Sequence, residues 1–154
     1  MPHTSRSIVL RKIATLNADF TSEAVNIPEW CTAVLLRVKV GTASGTSPTV
    51  NTYLQQGFPN SISADTVYQT PQAAKYSDWA FFDLASGVQI TASNQSCIIR
   101  IVGGGKDSEL GTDGTLAADT IHAGPVGPVL RVKLDVGGTN PSFTNAFAIL
   151  ELIP

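Results

Sequence analysis

The chain has 154 residues, 43% of them hydrophobic and only 14% charged, with a formal net charge of −2. That length suits one domain, residues 1–154, able to bury about two thirds of the surface its unfolded form exposes, and the charge balance excludes the basic stripe that nucleic-acid binding needs. The charged fraction is well below the roughly 25% of an average soluble domain, so serine, threonine, asparagine and glutamine carry the polarity, as befits either a strand-rich protein or a surface covered by partner subunits.

The first residues, MPHTSRS, hold neither the apolar run nor the small-residue cleavage site of a secretory signal, and no later stretch approaches the roughly 20 apolar residues of a membrane span. The expectation is a soluble product of the cytoplasm with no membrane partner. Arg6, Arg11 and Lys12 form a basic cluster in residues 1–12, which reads as an N-terminal arm reaching an acidic neighbour or as a solvated terminus.

Alternation of apolar and polar residues predicts strands near 7–14, 21–27, 33–41, 48–56, 79–83, 96–102, 127–136 and 142–153. In the third, Leu36, Val38 and Val40 oppose Arg37 and Lys39; in the seventh, Leu130, Val132, Leu134 and Val136 oppose Arg131, Lys133 and Asp135. No stretch carries a 3.6-residue apolar stripe, and Thr70–Ser77, interrupted by Pro71, is read as loop. The fold class is therefore all-β: an antiparallel β-sandwich, jelly-roll-like, of about eight strands.

The third and seventh strands belong to a repeat. LLRVKVGTASGTSPTVNTYL, from Leu35, returns as VLRVKLDVGGTNPSFTNAFAIL, from Val129. Each copy has a strand, a Gly-Thr-x-Pro element and a second strand, which predicts a duplicated hairpin. Gly41, Gly45, Gly137 and Gly138 would make the turns, and Pro48 and Pro141 would start the return strands. The last strand is apolar on both faces, with Phe143, Phe147 and Ile149 on one and Ala146, Ala148, Leu150 and Leu152 on the other. Such a strand needs two covers, of which one is the opposing sheet of the sandwich and the second a loop of the same chain or another subunit. Phe143, Ala146, Phe147, Ala148, Leu150 and Leu152 are accordingly the candidate subunit interface. The first copy, with Arg37, Lys39, Asn51 and Gln55 opposite its apolar face, reads as an ordinary surface hairpin.

Residues that carry chemistry are sparse. Cys31 and Cys97 lie outside any metal-ligand spacing and read as buried, reduced thiols, with a disulfide between facing strands as the alternative. Gly103-Gly104-Gly105-Lys106-Asp107 lacks the first glycine and the Ser/Thr of a phosphate loop. His3 and His122 are too few for a His-based metal site, and a triad of His122 with Asp113 or Asp119 lacks a nucleophile elbow. Asp107, Glu109, Asp113 and Asp119 crowd a glycine-rich loop without the spacing of an EF-hand. No catalytic, cofactor or metal site is expected. Trp30, Tyr53, Tyr68, Tyr76, Trp79, Phe81 and Phe82 include the material for a sugar-stacking platform, although Trp79 to Leu84 alternates as a packed strand would.

The order RVKV, GTASGTSPTV, WAFFDL, VQIT and LRVKLDVGGTNPSFTNAF, over about residues 20 to 152, resembles small virion proteins of tailed bacteriophages. The members it resembles are auxiliary head proteins, called decoration or cement proteins. The resemblance implies a noncatalytic homotrimer on the outside of the capsid, bridging neighbouring major capsid protein subunits. The candidate capsid contacts are then Arg6, Arg11 and Lys12 together with the loop 57–77. A tail or fibre component that binds host carbohydrate is the alternative, and a small hydrolase is the contrast from a third class.

Overall fold

The computed structural model describes residues 2–59, 79–102, 111–122 and 126–154, all in strands, turns and extended segments. Nine strands form one antiparallel sheet: β1 (Arg6–Leu16), β2 (Phe20–Thr21), β3 (Val25–Asn26), β4 (Ala33–Lys39), β5 (Ala43–Pro59), β6 (Trp79–Ser86), β7 (Ser96–Val102), β8 (Thr120–Ile121) and β9 (Val129–Ile153). The alternation read from the sequence holds. Leu36, Val38, Val40, Leu130, Val132 and Leu134 are buried, while Arg37 and Lys39 point outward. No helix among the described residues is long and apolar enough to cross a membrane.

The repeat does not form two hairpins. β4 and β5 run in line along the same side of β9, with Ala33 opposite Ile153, Lys39 opposite Phe147, Ala43 opposite Phe143 and Gly57 opposite Val129. The two copies are thus each other's partners, and the expected seventh and eighth strands are one continuous β9. The Gly-Thr-x-Pro elements do not reverse the chain. They face one another where the copies cross, Thr46 opposite Thr139, and the register slips on either side of that pair. Both adopt the same backbone: Gly45 and Gly138 have φ of 102° and 108°, and Ser47 and Asn140 have φ of 49° and 50°. These are paired bulges that bend both strands, for which glycine and asparagine supply the positive φ.

This crossing relates the two halves of the chain by a local twofold. Around the C-terminal half of β9 the order is β1–β9–β4–β7, and around its N-terminal half it is β2/β3–β9–β5–β6–β8. Arg37 and Lys39, opposite Ile149 and Phe147, correspond to Arg131 and Lys133, opposite Gln55 and Tyr53. β1 corresponds to β6, and each carries a one-residue bulge, at Leu10 and at Leu84. Strand pairing is interleaved: among the described residues β1 to β5 pair only with β6, β7 and β9.

The two layers close on a single core that includes Leu16, Leu36, Leu54, Leu84, Ile99 and Leu150. A side chain at Gly87, just after β6, would fall on the Sγ of Cys97 in β7, so the layers meet there without room for a Cβ. The result is the all-β antiparallel, sandwich-like fold that the sequence predicts.

Three expectations change. Of the segment 1–12, Arg6 to Lys12 belong to the strand Arg6–Leu16 paired with β9, and His3 stacks on Trp30 with ring centroids 5.1 Å apart. Phe143, Ala146, Ala148, Leu150 and Leu152 fill the chain's own core, each at most 1% exposed, so of the expected subunit interface only Phe147 stays on the outward face. The cover expected from the opposing side of the fold falls on these residues, which belong to the core. The expected loop from 103 to 127 contains the short strand β8, paired with Ala85 and Ser86 of β6.

Candidate functional site

The most densely bonded polar group is the Asp83 carboxylate, 2% exposed on β6. It accepts hydrogen bonds from the Gln55 amide (2.9 Å), the Thr112 hydroxyl (2.9 Å) and the backbone N–H groups of Gly114 (2.9 Å), Thr115 (3.1 Å) and Leu116 (3.2 Å). Gly114, with φ of 71°, gives the loop the curvature that aims consecutive N–H groups at one anion. Such bonds offset the cost of burying the charge.

Around this anchor lie Arg131, Lys133 and Asp113. Gln55 donates to Asp113 Oδ1 at 2.8 Å and accepts from Arg131 Nε at 2.8 Å, while Lys133 Nζ stands 3.1 Å from Asp113 Oδ1. The Arg131 guanidinium lies over the Phe81 ring, 3.9 Å from its centroid. The Gln55 bond and then Lys133 hold the Asp113 carboxyl below its ordinary value against the opposing pull of burial. Burial lowers Arg131, whereas for Lys133 the lowering by burial is outweighed by Asp113, Asp135 and Asp83, which raise it. Burial first, and then Asp135 and Asp83, raise the Tyr53 hydroxyl. The cluster fastens loop 111–116 over the outward face of β9, β5 and β6.

Among the described residues no loop roofs the twofold-related face, on β1, β9, β4 and β7. Val9, Ile149, Arg37 and Ile98 lie in one row across the four strands, with Lys12, Phe147, Lys39 and Ser96 in another. Val9 is 62% exposed, Ile98 48% and Val102 76%. Arg37 lies over the Phe147 ring at 5.8 Å. Lys12, Lys39, Asn94, Asn145 and Phe147 line a cleft of about 590 Å³ at the end of this face nearest the crossing. Among the described residues this face carries Lys12, Arg37, Lys39 and Arg100 against Glu151.

The expected capsid contacts therefore separate. Lys12 belongs to the open face; Arg6 and Arg11 lie on the other side of β1, opposite the buried Leu152 and Ala148, and Arg11 covers Phe20 at 5.1 Å. Of the loop 57–77, Gly57 to Pro59 end β5, and 60–77 lie outside the described residues. So do Tyr68, Tyr76, the glycine run with Lys106 and Asp107, Glu109, and the segment Thr70–Ser77.

Of the described aromatics, Phe58 is 40% exposed, while others are packed. Phe81 is covered by Arg131, Phe82 lies against Gly111 and Phe58, and Tyr53 is 7% exposed. Asp113 is engaged by Gln55 and Lys133, while the backbone N–H of His122 donates to Leu84 at 2.9 Å. Among the described residues no group of three or more His, Cys, Asp or Glu side chains is placed to hold a metal. Both cysteines are free thiols, Cys97 buried and Cys31 half-buried. The sequence signal for the open face was Arg37 and Lys39 themselves; what it lacked was the row of neighbours that the pairing supplies. No family model, no curated protein and no solved structure matches the chain.

Proposed function

We propose that this chain is a noncatalytic structural protein of a tailed-phage virion, decorating the capsid exterior and bridging neighbouring major capsid subunits. The observation that carries the reading is the face of β1, β9, β4 and β7, which exposes Val9, Ile98 and Val102 beside Arg37 and Lys39, cations that meet no carboxylate among the described residues. Exposed apolar area interleaved with charge marks a surface made to be covered by protein. The resemblance of the repeat segments to decoration proteins supplies the identity of the partner and the homotrimer.

A decoration protein works by engaging several shell subunits at once, so that individually weak contacts add through effective concentration. A homotrimer of this chain would use surface that the monomer leaves exposed, since the apolar residues of β9 are committed to its core. Light scattering of the purified protein and its addition to capsids assembled without it test the reading. Trimers that saturate those capsids are expected. A monomer that ignores capsids but binds host-surface glycans would move the chain to the tail or fibre.

A further inference from the structure

The local twofold lets each face serve as the template for the other. On the half built on β5, β6 and the first part of β9, the outward pair Arg131 and Lys133 is roofed by the chain's own loop 111–116, with Asp113 set against Lys133 and Asp83 holding the loop backbone. On the other half the corresponding pair, Arg37 and Lys39, is exposed, and among the described residues neither meets a carboxylate. The neighbours differ in kind. Where the roofed face has Gln55, Tyr53 and the anchoring Asp83, the open face has Ile149, Phe147 and Val9.

Cations on sheet edges often serve only to keep foreign strands off, and this accounts for part of the basic charge on β1 and β7. It does not account for Arg37 and Lys39. Both sides of β4 are already paired, with β7 and with β9, so its outward charges protect no edge. Lys12 adds a third cation next to Lys39 across the cleft. A phosphate backbone would use the cations but gain nothing from Val9, Ile98 and Ile149, whereas a protein segment uses both.

We propose that this face binds an acidic loop of a partner protein, one that sets a carboxylate against Arg37 and Lys39 as Asp113 is set against Lys133 and lays an apolar side chain along Val9 and Ile149. The proposal names the chemistry of the surface that the decoration reading requires on the capsid, and to that extent rests on it.

Cosedimentation with capsids assembled without the chain, at low and high salt, tests both. The proteins compared are the wild type, Lys12→Glu/Arg37→Glu/Lys39→Glu, and Val88→Ser, whose 61% exposed side chain is off the face. Wild-type binding that weakens with salt, falls at least tenfold in the triple variant and is unchanged in V88S supports the assignment. Thermal unfolding of the triple variant, with all three sites exposed, stays that of the wild type. Equal capsid binding by wild type and triple variant overturns the face and leaves the decoration reading standing. If the wild type ignores capsids, the decoration reading falls, and two probes decide the face alone: a peptide alternating Glu with Leu, and a random-sequence DNA duplex. Peptide binding lost in the triple variant upholds the proposal. No peptide binding, or DNA binding as tight as the peptide's, overturns it.

Discussion

Replacing Gly138 by alanine strikes the contact between the two repeats. Gly138 has φ of 108°, and a Cβ there would stand 2.6 Å from the carbonyl oxygen of Ser47, 2.8 Å from that of Thr46 and 3.0 Å from Pro48 Cα. These are backbone atoms of the facing strand, unable to swing aside as a side-chain tip would. Holding an L-residue in such a conformation costs about 1–3 kcal/mol, and forcing a carbon into a close-packed contact costs about as much again, so the loss is about 2–6 kcal/mol. Against a typical total of about 5–15 kcal/mol that is a large fraction. Gly45 mirrors it, with φ of 102° and a Cβ that would lie 2.8 Å from the Thr139 oxygen and closer still to that of Asn140. Urea unfolding should therefore show similar losses for G45A and G138A, and a double variant that loses less than the sum, because both strain one crossing. A hairpin-turn glycine behaves differently, since asparagine replaces it at little cost. A loss under about 1 kcal/mol in either alanine variant, or near-complete recovery with asparagine, refutes the crossing.

Three further outcomes are expected. Asp83→Ala strips the acceptor from five donors and should cost about 3–5 kcal/mol, with faster hydrogen exchange at Gly114, Thr115 and Leu116; unchanged exchange there would separate the loop from Asp83. In native protein a thiol reagent should label the half-buried Cys31 and spare Cys97, whose burial raises its pKa, until the chain unfolds; equal labelling rates contradict the packing of β7 on Gly87. Asp113 and Asp135 should show opposite pH effects in urea midpoints. The depressed pKa of Asp113 adds stability above the ordinary carboxylate range that is lost as pH falls through the folded value, modestly because its side chain is 60% exposed. The Asp135 pKa is raised, by burial first, so its ionisation opposes folding as pH climbs through that range. Asp113→Asn should be less stable than wild type at pH 7 and Asp135→Asn more stable, each converging on wild type as pH falls below the carboxyl's lower pKa, the folded value for Asp113 and the unfolded value for Asp135.

The local content of the fold was legible because period-two alternation is a property of neighbours in sequence. Leu36 and Val38, or Leu130 and Val132, announce their inward face without reference to any partner. Pairing is not local. Gly-Thr-x-Pro satisfies the residue preferences of a turn and of a bulge alike, since both ask for positive φ at glycine, and only the facing strand decides between them. The same ambiguity touches β9: apolar residues on two faces require two covers, the opposing sheet and a loop or subunit, and nothing in Leu150 or Ala148 tells which face meets which. The anchor at Asp83 was likewise hidden. An aspartate inside the run Trp79-Ala80-Phe81-Phe82-Asp83-Leu84 is an anomaly in an apolar strand, but its partners lie far along the chain, in Gln55 and in the loop from Thr112.

The interleaving of the two halves bears on how the protein is made. A chain emerges from the ribosome N-terminus first, and β1 to β5 leave with none of their pairing strands yet synthesised; β9, which pairs with all five, forms the last stretch of this sequence. Folding of this sequence therefore waits for its final strand, with long unpaired edges held open meanwhile, and its contacts are of the nonlocal kind that form slowly.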